Sequence, residues 1–104
     1  MARRWEVIDV TIPAGGMYSD TIVVAGYAWA TLHLTGTHDA TKVLFKAIGK
    51  AGDPLAAALE DGVQAERLVS GACSVDVPPS ALGYAMAIAS DATGAITARL
   101  VPKD

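Results

Sequence analysis

The stretch IDVTIPAGGMYSD, residues 8–20, decides how this chain is read. An alternating apolar run ends in Pro13-Ala14-Gly15-Gly16. Two glycines at such a place either cradle a phosphate or let the chain reverse. A phosphate loop needs a helix behind it, to supply backbone N–H groups and the positive end of a dipole. Here MYSDTIVV (residues 17–24) follows, an extended segment with neither G-x-G-x-x-G nor Lys-Ser/Thr after the glycines. Pro13 suits an early turn position, and a glycine supplies the positive φ. The stretch reads as strand, turn, strand.

The same period of two continues outward in both directions. In WEVIDVTI (residues 5–12), Ile8, Val10 and Ile12 share one face, with Trp5, Val7, Asp9 and Thr11 on the other. SDTIVV follows as a second strand, ending at a tight Ala25-Gly26 turn. YAWATLHLT (residues 27–35) alternates most clearly, setting Ala28, Ala30, Leu32 and Leu34 against Tyr27, Trp29, Thr31, His33 and Thr35. GTHDAT is a turn by composition. KVLFKAI (residues 42–48) opposes Val43, Phe45 and Ala47 to Lys42, Leu44, Lys46 and Ile48. CSVDV, GYAMAIAS and AITARLV complete the set. GYAMAIAS is apolar on both sides, which predicts a central strand covered on both.

One segment reads two ways. In GDPLAAALEDGVQAERLV (residues 52–69), Asp53 can cap a helix with Pro54 in its first turn. Equally, Asp61-Gly62 is a two-residue hairpin turn, so residues 54–68 form either a short helix or a hairpin. About eight short strands with regularly spaced turns predict an all-β fold, a single antiparallel β-sandwich of jelly-roll-like kind, with a small barrel as the other option. All 104 residues form one domain, with residues 1–5 as a candidate N-terminal arm.

Composition narrows the function. Hydrophobic residues make up 52% and charged residues 18%, so the chain is expected to be ordered throughout. So high an apolar share in so short a chain leaves little polar residue to cover the surface, and predicts exposed patches that a partner covers. A net charge of −3 without a basic run argues against nucleic acid as partner. The longest weakly polar stretch, residues 22–32, is too short to span a membrane. MARRW has no apolar segment behind it, so no signal peptide is expected. The lone Cys73 excludes an internal disulfide and suits a reducing compartment.

Candidate chemistry is thin. His33 and His38, with Asp39, have a spacing that hints at metal, but a strand and a turn do not aim both rings at one point, and no further ligands converge. The acids Asp53, Glu60, Asp61, Glu66 and Asp76 are too scattered for calcium and read as surface charge. There is no G-x-S-x-G elbow, and Ser70 or Ser74 beside a histidine would be chance assembly. Cys73 packs as a small hydrophobe. Tyr27 and Trp29, on one face with His33, could stack a sugar or anchor a protein, while Trp29 could equally close a second core. Arg3, Arg4 and Trp5 could form a basic, Trp-tipped arm that docks on an acidic partner, or merely a frayed first strand. The candidate interface is therefore Arg3, Arg4, Trp5, Tyr27, Trp29 and His33; no catalytic, cofactor or metal residue is assigned.

The order of these elements resembles the small β-sandwich proteins encoded among the virion structural genes of tailed bacteriophages. Residues 12–15 (Ile-Pro-Ala-Gly), Ser19, Leu44-Phe45, Pro79-Ser80 and the closing ITARLV carry the likeness, which covers nearly the whole chain. SDATGA (residues 90–95) departs from it, where a longer loop with basic residues would be expected. The resemblance implies a structural role without catalysis or cofactor. In its favoured form this is a capsid decoration protein on the virion surface, often trimeric, that bridges neighbouring major capsid protein subunits after assembly in the bacterial cytoplasm. The alternative is a module of a tail or head fibre that holds a cell-surface glycan on the Tyr27, Trp29 and His33 face. A small hydrolase comes third, because nothing in the sequence asks for one.

Overall fold

The computed structural model describes residues 7–50 and 53–103. The candidate arm of residues 1–5, with Arg3, Arg4 and Trp5, lies outside the described residues. The strands run in the order β1 (Ile8–Ile12), β2 (Ile22–Val23), β3 (Trp29–Thr35), β4 (Lys42–Ile48), β5 (Ala56–Ala57), β6 (Leu59–Glu60), β7 (Val63–Gln64), β8 (Glu66–Leu68), β9 (Cys73–Asp76), β10 (Tyr84–Ile88) and β11 (Ile96–Lys103). A 3-10 turn, Pro79–Ala81, precedes β10.

The pairing is nested. β1 pairs with β11, β2 with β10, β3 with β9 and β4 with β8, all antiparallel. The chain is thus one long hairpin, folded back on itself near residue 60. Two more pairings, β3 with β11 and β4 with β10, roll that hairpin into two sheets. The first has the order β1-β11-β3-β9; the second has β2-β10-β4-β5, with β8 also on β4. This is the jelly-roll form of a β-sandwich, in which consecutive strands cross between sheets.

The opening stretch turns, as its residues predict. Gly15 and Gly16 both have positive φ, 74° and 79°, a region that glycine enters without steric cost. The Gly15 N–H donates to the Ala92 carbonyl, which pins the turn against the loop before β11. The following strand is far shorter than SDTIVV suggests. Ser19 explains part of this: it is buried, and its backbone N–H donates to the Ala87 carbonyl while its Oγ accepts from the Ala87 N–H. A side-chain hydroxyl thereby replaces a backbone carbonyl in the ladder, and the chain reaches β10 before β2 begins.

Residues 54–68 form the hairpin and not the helix. Leu59 pairs with Gln64 and Glu60 with Val63 around Asp61-Gly62. Both turn residues have positive φ, 51° and 79°, as a type I′ turn requires. The Gln64 side-chain amide donates to the Phe45 carbonyl at 2.9 Å, which ties this hairpin to β4.

One core lies between the sheets. Phe45, Ile12, Leu32, Leu34, Ile96 and Leu100 are its largest fully buried side chains. Burying one such side chain contributes about 1.5–3 kcal/mol. The alanine-rich sequence now has a packing reason. Every inward residue of β10 and its extension (Ala85, Ala87, Ala89) is a buried alanine, and Ala87 stands directly beside Phe45 on β4. Small residues there leave room for the one phenylalanine in the chain.

Two expectations are corrected, and one of the two readings of Trp29 falls. GYAMAIAS is central within its sheet, but it is covered on one side only: Tyr84, Met86 and Ile88 remain partly open to solvent. Its outward residues are apolar for a reason other than a second core. Trp29 does not close a second core either; it is 46% exposed on the outer side of the first sheet. Ala28, expected to face inward with Ala30, precedes β3 and is exposed.

Candidate functional site

Alternation gives each sheet an inner and an outer face, and the two outer faces differ in chemistry. On the first sheet a row crosses all four strands, Asp9 to Arg99 to His33 to Ser74. Thr11, Thr97 and Thr35 line up beside it. The Arg99–Asp9 ion pair spans 3.6 Å between largely exposed side chains, and such a pair contributes little stability. His33 is held at both ring nitrogens: Ser74 Oγ meets Nδ1, and Thr31 Oγ1 lies 3.1 Å from Nε2. The fold therefore does bring Ser74 to a histidine. The second ring nitrogen faces a threonine hydroxyl and not a carboxylate, on an open sheet surface.

The outer face of the second sheet is apolar. Val23, Tyr84 and Ile48 form one row, and Ile88, Leu44 and Glu66 another, with Tyr18 bridged to Ile88. Met86 sits between them beside Lys46, and Leu68 lies at the margin beside Lys42. Leu68 is 78% exposed and Val23 52%. These residues come from five separate strands and loops, yet register places them on one continuous surface. Composition had predicted a patch of this kind; of the residues that form it, Tyr84, Met86 and Ile88 were read as covered.

A groove of about 330 Å³ opens where β9, the edge of the first sheet, meets β8 of the second. Trp29, Glu60, Arg67, Asp76, Val77 and Pro79 line it. Arg67 clasps the two sheets. Its Nε donates to the Asp76 carbonyl at 2.8 Å, and its two terminal nitrogens donate to the Glu60 carboxylate at 2.6 and 2.8 Å. That fork holds Glu60 below the ordinary carboxylate pKa and raises Arg67 above its own. Lys103, beside Trp29 in register on β11, places its ammonium 4.5 Å from the indole centroid.

Of the predicted interface residues, Trp29 and His33 share the first sheet's outer face. Tyr27 precedes the strand and is half-buried in the loop after Gly26. Trp29 borders the groove; His33 does not. The sequence reading missed Glu60, Arg67 and Asp76 as a set, because no short-range spacing links them. His38 is apart from His33, bonded to the Gly71 carbonyl at 2.6 Å and to the Ala40 N–H. Among the described residues no three histidine, cysteine or acidic side chains converge as metal ligands. None of their helices is long and apolar enough to cross a membrane.

At the far end, two loops are joined by a reciprocal clasp. Asp39 accepts from the Thr93 N–H and hydroxyl, and Asp91 accepts from the Thr41 N–H and hydroxyl. Side-chain bonds from these threonines hold both exposed carboxylates below their ordinary pKa.

The fold and its surfaces define a class: a jelly-roll β-sandwich with one polar and one apolar outer face. No protein-family model and no curated protein matches the sequence. Among solved structures the chain is similar to the SPBc2 prophage-derived protein YomS, with a TM-score of 0.66 at 15% sequence identity. The match covers 100% of this chain and 98% of that one. The likeness therefore extends to the whole fold, both sheets included.

Proposed function

We propose that this chain is a structural protein of a bacteriophage virion, and that it decorates the outside of the capsid by docking on the major capsid protein. The observation that carries the reading is the apolar outer face of the second sheet. A surface of Tyr84, Met86, Ile88, Leu44, Ile48, Val23 and Leu68 favours contact with a partner over contact with water. Lys42 and Glu66 lie among polar groups at its margin, and Lys46 between its apolar rows; together they fix orientation. The fold shared with a prophage-derived protein supports the phage context. A rigid sandwich loses little conformational entropy on docking, so each copy stabilises the shell by mass action even with modest affinity. In this reading the protein binds and does not catalyse. It acts at the capsid surface, in groups such as trimers, after assembly in the bacterial cytoplasm.

The test is copy number. Purified particles from the source are separated, and this chain is quantified against the major capsid protein. A ratio near that of the shell protein is expected, together with lower heat resistance of particles that lack the chain. A handful of copies would move the protein to the tail or a fibre, and complete absence would overturn the virion reading.

A further inference from the structure

We propose that β1 is the pairing edge for a second copy of this chain, the two β1 strands lying antiparallel about a twofold axis at Val10. The inference does not depend on capsid docking, because it uses an edge of the first sheet and leaves both outer faces free.

The hydrogen-bond pattern shows which groups that edge presents. The Val77 N–H donates to the Ala30 carbonyl, and the side towards which a residue bonds alternates along a strand. Ala30, Leu32 and Leu34 therefore bond towards β9, and Thr31, His33 and Thr35 towards β11. By the same alternation Thr97 and Arg99 of β11 bond to β3, while Ile96, Ala98 and Leu100 bond to Ile12, Val10 and Ile8. The Thr35 hydroxyl also donates to the Thr97 carbonyl, in agreement with that direction. The backbone N–H and C=O of Asp9 and Thr11 are left pointing away from the sheet. Among the described residues nothing pairs with them.

An edge is normally protected by shortness, a lysine, a proline, a bulge or a covering segment. β2, β5 and β8 are only two or three residues long. On β9 the alternation turns the Asp76 carbonyl outward, and Arg67 occupies it. β1 has none of these devices over its five residues, IDVTI, which pair one-to-one with β11. A groove of about 130 Å³ opens beside it, towards residues 20–22.

The residues of β1 select a second copy as the occupant. An antiparallel partner must set outward-bonding residues against outward-bonding residues, so a symmetric pair is centred on Asp9, Val10 or Thr11. Centring on Asp9 opposes two like carboxylates, which is destabilising. Centring on Thr11 sets Asp9 against Pro13, which has no N–H to give. Centring on Val10 sets Asp9 against the partner's Thr11, and Thr11 against the partner's Asp9. Each of those pairs exchanges two backbone hydrogen bonds, and each threonine hydroxyl can donate to the carboxylate opposite. Asp9 then lies between its own Arg99 and the partner's Thr11, so its charge is matched. On the inner face Val10 meets the partner's Val10, and Ile8 the partner's Ile12, all apolar. The strand is thus complementary to itself, as a twofold interface requires. The four-stranded sheets of the two copies join into one continuous sheet.

The experiment is sedimentation velocity of the full chain under reducing conditions, from about 10 µM to about 1 mM, with amide exchange followed by NMR over the same range. The chain is expected to dimerise weakly, with a Kd of about 100 µM, as suits a small interface. Protection of the Asp9 and Thr11 amides should rise with concentration, while that of the outward-facing Ser74 amide on β9 should not. Thr11→Asp, set against the partner's Asp9, should weaken pairing at least about tenfold. Thr11→Lys, at the same exposed position, should tighten it about threefold. Damage to the fold cannot produce opposite signs at one position. The proposal is overturned if the chain stays monomeric at about 1 mM, if both Thr11 variants move pairing in the same direction, or if Ser74 gains protection in place of Asp9 and Thr11. It is equally overturned if Val23→Glu with Leu68→Glu abolishes self-association, which would put the contact on the apolar face of the second sheet.

Discussion

The two sheets share one core and have opposite exteriors. Inward, both follow the same rule, with Leu32, Leu34 and Leu100 of the first meeting Val43 and Phe45 of the second. Outward, the first carries Thr, His, Arg, Ser and Asp, whereas the second carries Tyr, Met, Ile, Leu and Val. Folding alone does not demand that difference, because one buried face per sheet suffices for a sandwich. The polar exterior suits a face kept in water, and the apolar exterior suits one that is not.

The largest expected effect separates inside from outside on a single strand. Phe45→Ala should lower unfolding stability by about 3–5 kcal/mol, whereas Leu44→Ala, the next residue but outward, should cost only about 1 kcal/mol. Urea unfolding of the two variants measures this. Equal losses would mean that the second sheet is buried on both sides after all, and the contrast between exteriors would fall.

Next comes the contrast between outer faces. Val23→Glu combined with Leu68→Glu should leave the fold intact and reduce capsid occupancy at least about tenfold, or 1.4 kcal/mol. Thr97→Glu, on the polar face, should leave occupancy unchanged. Particle binding assays with each variant read the outcome; a larger loss from Thr97→Glu would exchange the roles of the two faces.

A smaller effect concerns acid. The Asp39 and Asp91 carboxylates have folded pKa values below their unfolded value near 3.8. Their bonds with Thr93 and Thr41 thus add stability above that value, and it drains away as pH falls through the lowered folded values. Both carboxylates are exposed, so the slope should be shallow. Urea midpoints followed from about pH 5 down to about pH 2 should fall less steeply in an Asp39→Asn, Asp91→Asn variant than in the parent. Parallel curves would remove the clasp as a stabilising element.

The smallest is Lys103→Met, which removes the ammonium from the Trp29 ring. It should cost about 0.5 kcal/mol, a shift of roughly 2–4 °C in thermal midpoint.

Legibility in the sequence followed periodicity. Ile8–Ile12, Trp29–Thr35 and Lys42–Ile48 announce themselves by strict alternation, and the Asp61-Gly62 turn by its need for positive φ. β2 escaped, because its shortness depends on Ser19 reaching a strand 68 residues further along. The outward residues of β10 were readable as apolar, but their exposure was not, since a one-sided and a two-sided sheet can carry the same letters. The groove was the least visible. Trp29 stood out alone, while Glu60, Arg67 and Asp76 become neighbours only after the hairpin has rolled and β8 has come to lie by β9. Arg3, Arg4 and Trp5 fall outside the described residues, so the arm is an expectation of sequence alone.

The nested pairing also governs when the fold can form. β1 is hydrogen-bonded in its sheet to β11, the last of the described strands to leave the ribosome. β1 must therefore wait, with Val10 and Ile12 uncovered, until residues 96–103 have been translated. Contacts this distant in sequence make for slow folding. The hairpin around Asp61-Gly62 is local enough to close early, and it can serve as the tip from which the remaining strands zip outward in pairs. A nascent chain truncated before residue 96 would lack β11, and with it one of the two central strands of the first sheet, so synthesis of β11 acts as a gate ahead of any assembly with a partner.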